Sequence, residues 1–137
     1  MKQQVGIWID HRQAVVVFLD GDSETTEHIA SGVEKHVRFS GRSASEDGAA
    51  DDQRDRQFAV HLGRYYDVVI THVRDAGSIL IFGPGEAKGE FEKRLVAKGL
   101  DNRVVGVETV DKMTDPQIVA KVRLHYREHG SIVQHPA

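Results

Sequence analysis

The stretch Gly83-Pro-Gly-Glu-Ala-Lys88 combines two features that bind anions, a glycine-rich turn and a lysine near the start of a helical pattern. Backbone N–H groups at a helix N-terminus lack intrahelical partners and favour negative charge. Together with the Lys88 ammonium, the amides around Gly83 and Gly85 could hold a phosphate of RNA or of a nucleotide. The stretch lacks the longer glycine spacing and the Lys-Ser or Lys-Thr pair of a P-loop. A structural alternative stays open, in which the glycines only serve a tight strand-to-helix turn.

Basic residues border an acidic segment that is rich in glycine and serine and spans residues 40–55. Arg38, Arg42 and Arg54 could contact phosphates there, with Phe39 beside them for base stacking. Five acidic residues in the same segment weaken the local positive field, so a solvated loop of mixed charge is the alternative. Because the segment has no apolar residue larger than alanine, we predict that it is a mobile loop.

Two histidine patterns could support metal binding or acid–base catalysis, but neither completes a site. His125 and His129 have the i, i+4 spacing of two metal ligands on a helix, yet two ligands do not make a site. Asp10-His11-Arg12 joins two strand-like runs and could pair a carboxylate with an imidazole. No nucleophile can be assigned to that turn, where a solvated histidine and an aspartate bonded to local backbone are the simpler reading. We therefore assign no catalytic residue, no metal and no cofactor.

The composition indicates one compact domain over residues 1–137. The chain has no apolar run long enough to cross a bilayer and no signal-peptide pattern, so we expect a cytoplasmic protein without a membrane partner. The absence of cysteine excludes disulfides, thiolate nucleophiles and zinc–thiolate sites. A formal net charge of −3 provides no global basic field, so any contact with RNA must be local.

Hydrophobic periodicity predicts a mixed α/β fold with elements in the order ββ(ββ)αβαβα, in which helices cover a mixed sheet. The predicted strands are residues 4–9, 13–19, 24–30, 33–39, 79–82 and 104–107. The first two form a hairpin whose apolar density indicates burial on both faces, Trp8 included. The predicted helices begin near Arg54, near Glu86 and after the capping pair Thr114 and Gln117, and the last ends near His129.

The run Ile81-Phe-Gly-Pro-Gly-Glu-Ala-Lys88, after a hairpin containing Val5-Gly-Ile-Trp-Ile-Asp10 and a long helix, resembles the middle domain of archaeal and eukaryotic peptide-chain release factors and Pelota. The chain looks most like short bacterial single-domain proteins related to that domain, which are labelled translational machinery proteins of unknown role. The resemblance implies a ribonuclease-H-like α/β layout and a partner in translation, the ribosome or tRNA.

Release factors carry a Gly-Gly-Gln tripeptide before the first long helix and use it to hydrolyse peptidyl-tRNA. Residues 40–55 take that place here, and they contain Gln53 but no Gly-Gly-Gln. We therefore expect a non-catalytic domain that contacts ribosomal RNA or tRNA. Two alternatives stay open: a peptidyl-tRNA or related ester hydrolase that positions water with Gln53 or Arg42, and a protein-interaction module without RNA contact. An uncovered strand edge also leaves self-association open.

Overall fold

The structure is a computed structural model that describes residues 3–32 and 48–134, with side chains over residues 3–32 and 56–128. Five strands form one sheet in this part of the chain: β1 (Gln4–Ile9), β2 (Gln13–Asp20), β3 (Ser23–Ala30), β4 (Ser78–Gly83) and β5 (Val104–Thr109). Three α-helices accompany them: α1 (Gly48–Val73), α2 (Ala87–Ala97) and α3 (Asp115–Gln134). A short 3-10 helix, Asp101–Arg103, precedes β5. None of the helices in the described ranges is both long and apolar enough to cross a membrane.

The strands lie in the order β3-β2-β1-β4-β5. The first three strands of the chain pair antiparallel, whereas β1 pairs parallel with β4 and β4 pairs parallel with β5. This arrangement confirms the predicted mixed α/β fold. Because β1 and β4 are parallel neighbours, Ile9 and Gly83 end side by side at one edge of the sheet, which we call the carboxyl edge.

The sheet is covered on both faces, because the apolar runs in β1, β2 and β4 have no polar face to turn to solvent. On one face, α1 and α2 bury the strand residues Val5, Ile7, Ile9, Val16, Ile79 and Ile81. On the other, α3 buries Trp8, Val15, Val17, Leu80 and Phe82. Trp8 is thus a core residue, as predicted, and is 2% exposed.

The helix α1 is longer than its apolar periodicity predicts. It begins at Gly48, so residues 48–55 are helical and the predicted loop over residues 40–55 is wrong for that part. Ala49 and Ala50 favour helix, and the acidic residues that follow lie near the positive end of the helix dipole. Residues 40–47, and the extended piece predicted at 33–39, lie outside the described residues.

The helix α3 begins where the sequence predicts. Its capping pair is formed by the N–H of Thr114, which donates to Gln117 Oε1 over 2.9 Å, and by the N–H of Gln117, which lies 3.4 Å from Thr114 Oγ1. The predicted end near His129 is wrong, because the helix continues through Gly130 to Gln134. A single glycine costs a helix about 1 kcal/mol and does not by itself end it.

Candidate functional site

The Gly-Pro-Gly turn leaves the carboxyl edge directly after β4, and its first glycine is required by packing. A Cβ atom at Gly83 would lie 2.2 Å from the carbonyl oxygen of Ile9 in the neighbouring strand. The Gly83 carbonyl also accepts the N–H of Val110 over 3.1 Å, which ties the turn to the segment after β5. Gly83 therefore fits the structural alternative, since only a residue without a side chain allows β4 to end so close to β1.

The second glycine of the turn is open to a ligand. Gly85 has a φ of 65°, in the left-handed region that favours glycine, and a Cβ atom there would meet nothing within 4 Å. The Lys88 ammonium donates to the Gly85 carbonyl, which holds the cation above the turn. Since an ammonium carries three N–H donors, that bond uses one of them. Glu86 is the N-cap residue of α2, and its side chain makes no capping hydrogen bond to the first turn.

Glu90, one turn further into α2, is held by two partners. Its Oε1 accepts the hydroxyl of Tyr66 over 2.6 Å, and the same oxygen lies 3.0 Å from His11 Nε2. Burial and the hydrogen bond to Glu90 raise the pKa of Tyr66, so this hydroxyl stays protonated and remains a donor. The cluster links the turn after β1 with both helices of this face.

The turn between β1 and β2 keeps its predicted local bonds. Asp10 Oδ1 accepts the N–H groups of Arg12 and Gln13, each over 2.8 Å. His11 is partly solvated, as predicted, with its side chain 35% exposed. Its ring also contacts Glu90 and packs edge-on against Phe58 with 5.9 Å between ring centroids, which the sequence did not predict. Side chains of α1 and α2 reach this turn at the carboxyl edge, and Ser31 Oγ, after β3, donates to the His11 carbonyl over 2.7 Å.

The structure places only half of the predicted anion-binding residues. Gly83, Gly85 and Lys88 lie together in one turn, as their spacing in sequence requires. Arg38 and Arg42 lie outside the described residues, and Arg54 lies in α1 where the structure describes the backbone alone. The role of these six residues in binding stays a prediction.

The histidine pair on α3 is described in part. The His125 ring packs edge-on against Tyr126 with 5.1 Å between ring centroids, and the side chain of His129 lies outside the described ones. Over the ranges that the structure describes, no three residues of the types His, Cys, Asp or Glu come together to hold a metal ion.

A groove of about 650 Å³ separates α1 from α2, and the sequence reasoning missed it. Its lining residues are Phe58, Ala59, Leu62, Gly63 and Tyr66 from α1, Glu90, Lys93, Arg94 and Ala97 from α2, and the C-cap residue Lys98. Arg94 crosses beneath it to Asp67, with Nε 2.7 Å from Oδ1 and Nη2 2.9 Å from Oδ2. The i, i+3, i+4 spacing of the lining residues could have indicated one helix face, but not which element it meets.

No protein-family model matches the sequence, and no curated protein matches it either. Solved structures do match. The chain superposes on the Pelota protein of Thermoplasma acidophilum with a TM-score of 0.60 and 17% identity, over 88% of this chain and 31% of that one. For Archaeoglobus fulgidus Pelota the TM-score is 0.54 at 13% identity, over 98% of this chain and 38% of that one. For the archaeal translation termination factor aRF1 it is 0.51 at 15% identity, over 97% and 39%.

These comparisons confirm the resemblance of fold to Pelota and to a release factor. At 13–17% identity they concern the fold alone. The chain spans between 31% and 39% of the length of these three proteins, so it corresponds to about one third of each.

Proposed function

We propose that this protein is a translation-associated binding domain that contacts ribosomal RNA or tRNA through the Gly83–Lys88 turn and carries out no catalysis itself. The observation that carries the proposal is the fold, which it shares with a translation termination factor over 97% of its length. Fold alone does not determine function, so the contact surface has to be argued from the residues.

The turn has the chemistry that a phosphate group needs. Lys88 presents a cation beside the uncapped first turn of α2, and Gly85 leaves its backbone open to close approach. Glu90 is engaged by Tyr66 and His11, which reduces its repulsion of an incoming anion. Because the whole chain carries a net charge of −3, this contact would be local and sensitive to salt.

The hydrolase alternative receives no comparable support. The sequence contains no Gly-Gly-Gln, and Gln53 lies within the helix α1 instead of on a loop. A hydrolytic glutamine has to approach the ester bond, and the proposal therefore assigns no role to Gln53.

Co-sedimentation with ribosomes and ribosomal subunits, at low and at moderate salt, tests the proposal. We expect salt-sensitive binding by the wild type and a loss of about tenfold or more in Lys88→Glu, because the substitution replaces a phosphate-facing cation with an anion. Arg74→Glu is the matched control, since Arg74 is exposed at the opposite edge of the sheet and undergoes the same change of charge.

Two results would contradict the proposal in different ways. Equal binding by the wild type and Lys88→Glu would move the contact away from the Gly83–Lys88 turn. No binding of the wild type at either salt concentration would remove the ribosome as a partner, and a filter-binding assay with tRNA would then decide whether any RNA contact exists.

A further inference from the structure

We propose that the groove between α1 and α2 binds a short amphipathic helix of a partner protein, one that carries acidic residues beside its apolar stripe. This inference goes beyond the proposed function, because it concerns a second surface and a different kind of partner. It rests on the groove's floor, on the charge of its rim and on its shape.

The floor of the groove is apolar and open to solvent. Leu62 is buried beneath it, Phe58 is half-buried, and Ala59 and Ala97 are exposed on the two facing helices. Small residues on both sides keep the walls low, so apolar side chains of a ligand could reach Leu62 and Phe58. Burying apolar surface is the main favourable term in such association.

The rim of the groove has an excess of positive charge, which contrasts with the negative charge of the chain. Lys93 and Lys98 are exposed along α2. Among the described residues Lys93 forms no ion pair, and Lys98 Nζ lies 3.7 Å from Asp67 Oδ1, at the long limit of such a contact.

The acidic groups at the groove are already engaged. Arg94 binds Asp67 through two hydrogen bonds, and Glu90 is bonded by Tyr66 and lies against His11. Asp67 is shared by Arg94 and Lys98, so this group keeps a net positive charge, and Lys93 is the lining cation without an acidic partner among the described residues; both features complement carboxylates. Charge pairs of this kind fix the orientation of a bound segment and increase its rate of association.

The shape fits a helix better than it fits an RNA strand. The 11 residues of α2 span about 16 Å, which corresponds to about three turns of a ligand helix packed against two others. A ligand helix would place apolar residues at i, i+3, i+4 and i+7 on the floor. A phosphate backbone would gain nothing from Phe58, Leu62 and the two alanines.

The test uses fluorescein-labelled synthetic peptides of about 14 residues, long enough for the three turns. The acidic probe carries leucine at i, i+3, i+4 and i+7 with flanking glutamates, and it is made in several registers. A second set has lysine in place of glutamate, and a third has serine in place of leucine. We expect saturable binding of the acidic set to the full chain by fluorescence anisotropy, and binding weaker by about tenfold or more for the other two sets.

Adjacent variants of α2 locate the contact. Ala97→Glu places a carboxylate in the groove and should weaken binding of the acidic probe by about tenfold. Val96→Glu introduces the same charge at the preceding position, which is 52% exposed and outside the groove, and should leave peptide binding unchanged. Lys93→Glu should also weaken binding, whereas Lys112→Glu, exposed and outside the groove, should not. Circular dichroism of each variant verifies that the fold is retained.

Each other outcome overturns the proposal. The first is a lack of saturable binding by the acidic peptides, and the second is equal binding by the basic peptides. The third is an equal loss of binding in Val96→Glu and Ala97→Glu. The fourth is displacement of the acidic probe by a single-stranded RNA oligonucleotide that binds the same residues. The groove proposal and the proposed function fail independently. Lys88→Glu should bind the peptide as the wild type does, and Ala97→Glu should keep the salt-sensitive sedimentation expected of the Gly83–Lys88 turn.

Discussion

The two faces of the sheet are closed in different ways. On the face of α3, a single helix lies directly on the strands, and Gly6 in β1 makes that approach possible, because a Cβ atom there would lie 2.2 Å from Val122 Cγ2. On the face of α1 and α2, two helices share the cover. Between them they leave a groove of about 650 Å³ with charged residues at its rim.

The difference between the faces is one of size, because each carries a groove. Two helices joined by side chains leave space between their axes. A smaller groove, of about 470 Å³, lies beside α3, where Ala120, Arg123 and Tyr126 face Gln4 and Leu19. The face of α1 and α2 also holds the polar cluster of His11, Tyr66 and Glu90. The larger groove and the polar cluster thus share one face, and the Gly83–Lys88 turn leads into a helix of that face.

The largest change in folding stability is expected in alkaline solution, where buried tyrosines of both faces resist ionisation. All three tyrosines of the chain are buried, Tyr65 and Tyr66 on the groove face and Tyr126 on the α3 face, and burial raises the pKa of each. A raised folded pKa gives stability that is complete below the unfolded pKa of about 10 and is lost as the pH rises beyond it. The loss is about 1.4 kcal/mol per pH unit for each tyrosine that ionises only on unfolding.

The measurement is a spectrophotometric titration of tyrosinate beside circular dichroism. We expect tyrosinate absorbance to appear together with the loss of structure, with no separate titration before it. An early, partial rise that Tyr66→Phe abolishes and Tyr126→Phe does not would show that the groove face admits solvent first. A rise from all three tyrosines in the folded protein would contradict the burial on both faces.

The sequence predicts the elements of the fold because their signals are local. The apolar runs of β1, β2 and β4, and the Thr114 and Gln117 capping pair of α3, each depend on residues that are neighbours in the chain. Predicted boundaries fail where the loop-like composition is a weaker determinant than helix propensity. At Gly48, alanines and acidic residues start a helix inside the predicted loop.

The candidate site is predicted only where it is contiguous in sequence. Gly83, Gly85 and Lys88 belong to one turn, so their proximity requires no tertiary information. The contact of His11 with Glu90 joins residues 79 positions apart, and it depends on how the two helices pack on the sheet. Glycine is likewise required at position 83 because the Ile9 carbonyl lies so close, and the sequence around Gly83 does not show that contact.

The next largest change in folding stability should come from the close approach of α3 to β1. Gly6→Ala should lower the free energy of unfolding by about 1–3 kcal/mol, because the added methyl group overlaps Val122 and the helix has to move. Chemical denaturation with urea measures the change. Val122→Ala alone leaves a small cavity, but in the double variant the two substitutions should partly compensate, with a coupling energy of about 0.5–3 kcal/mol.

The matched control for this prediction lies on the groove side. Gly89→Ala in α2 adds the same methyl group where it meets nothing within 4 Å, and it should stabilise the protein by about 0.5–1 kcal/mol through helix propensity. If Gly6→Ala were as harmless as Gly89→Ala, the close approach on the α3 face would be wrong.

The smallest effect comes from the ion pair that joins α1 to α2. The hydrogen bonds from Arg94 lower the pKa of Asp67. A lowered folded pKa gives stability that is present above the unfolded pKa of about 3.9 and is lost as the pH falls through the folded one. Asp67→Asn should therefore cost up to about 1 kcal/mol near neutral pH, since the pair is partly exposed and screened by solvent, and almost nothing in acid strong enough to protonate Asp67 in the folded protein.

Urea denaturation at both pH values measures this difference, with Asp75→Asn as the control, because Asp75 is exposed beyond the end of α1. Added salt should reduce the effect of Asp67→Asn at neutral pH and leave that of Gly6→Ala unchanged. The two contacts would then respond to different conditions, since Gly6 and Val122 meet through apolar atoms whereas Arg94 and Asp67 form an ion pair. An Asp67→Asn effect that is independent of pH and salt would instead show that Asp67 acts through packing and not through its charge.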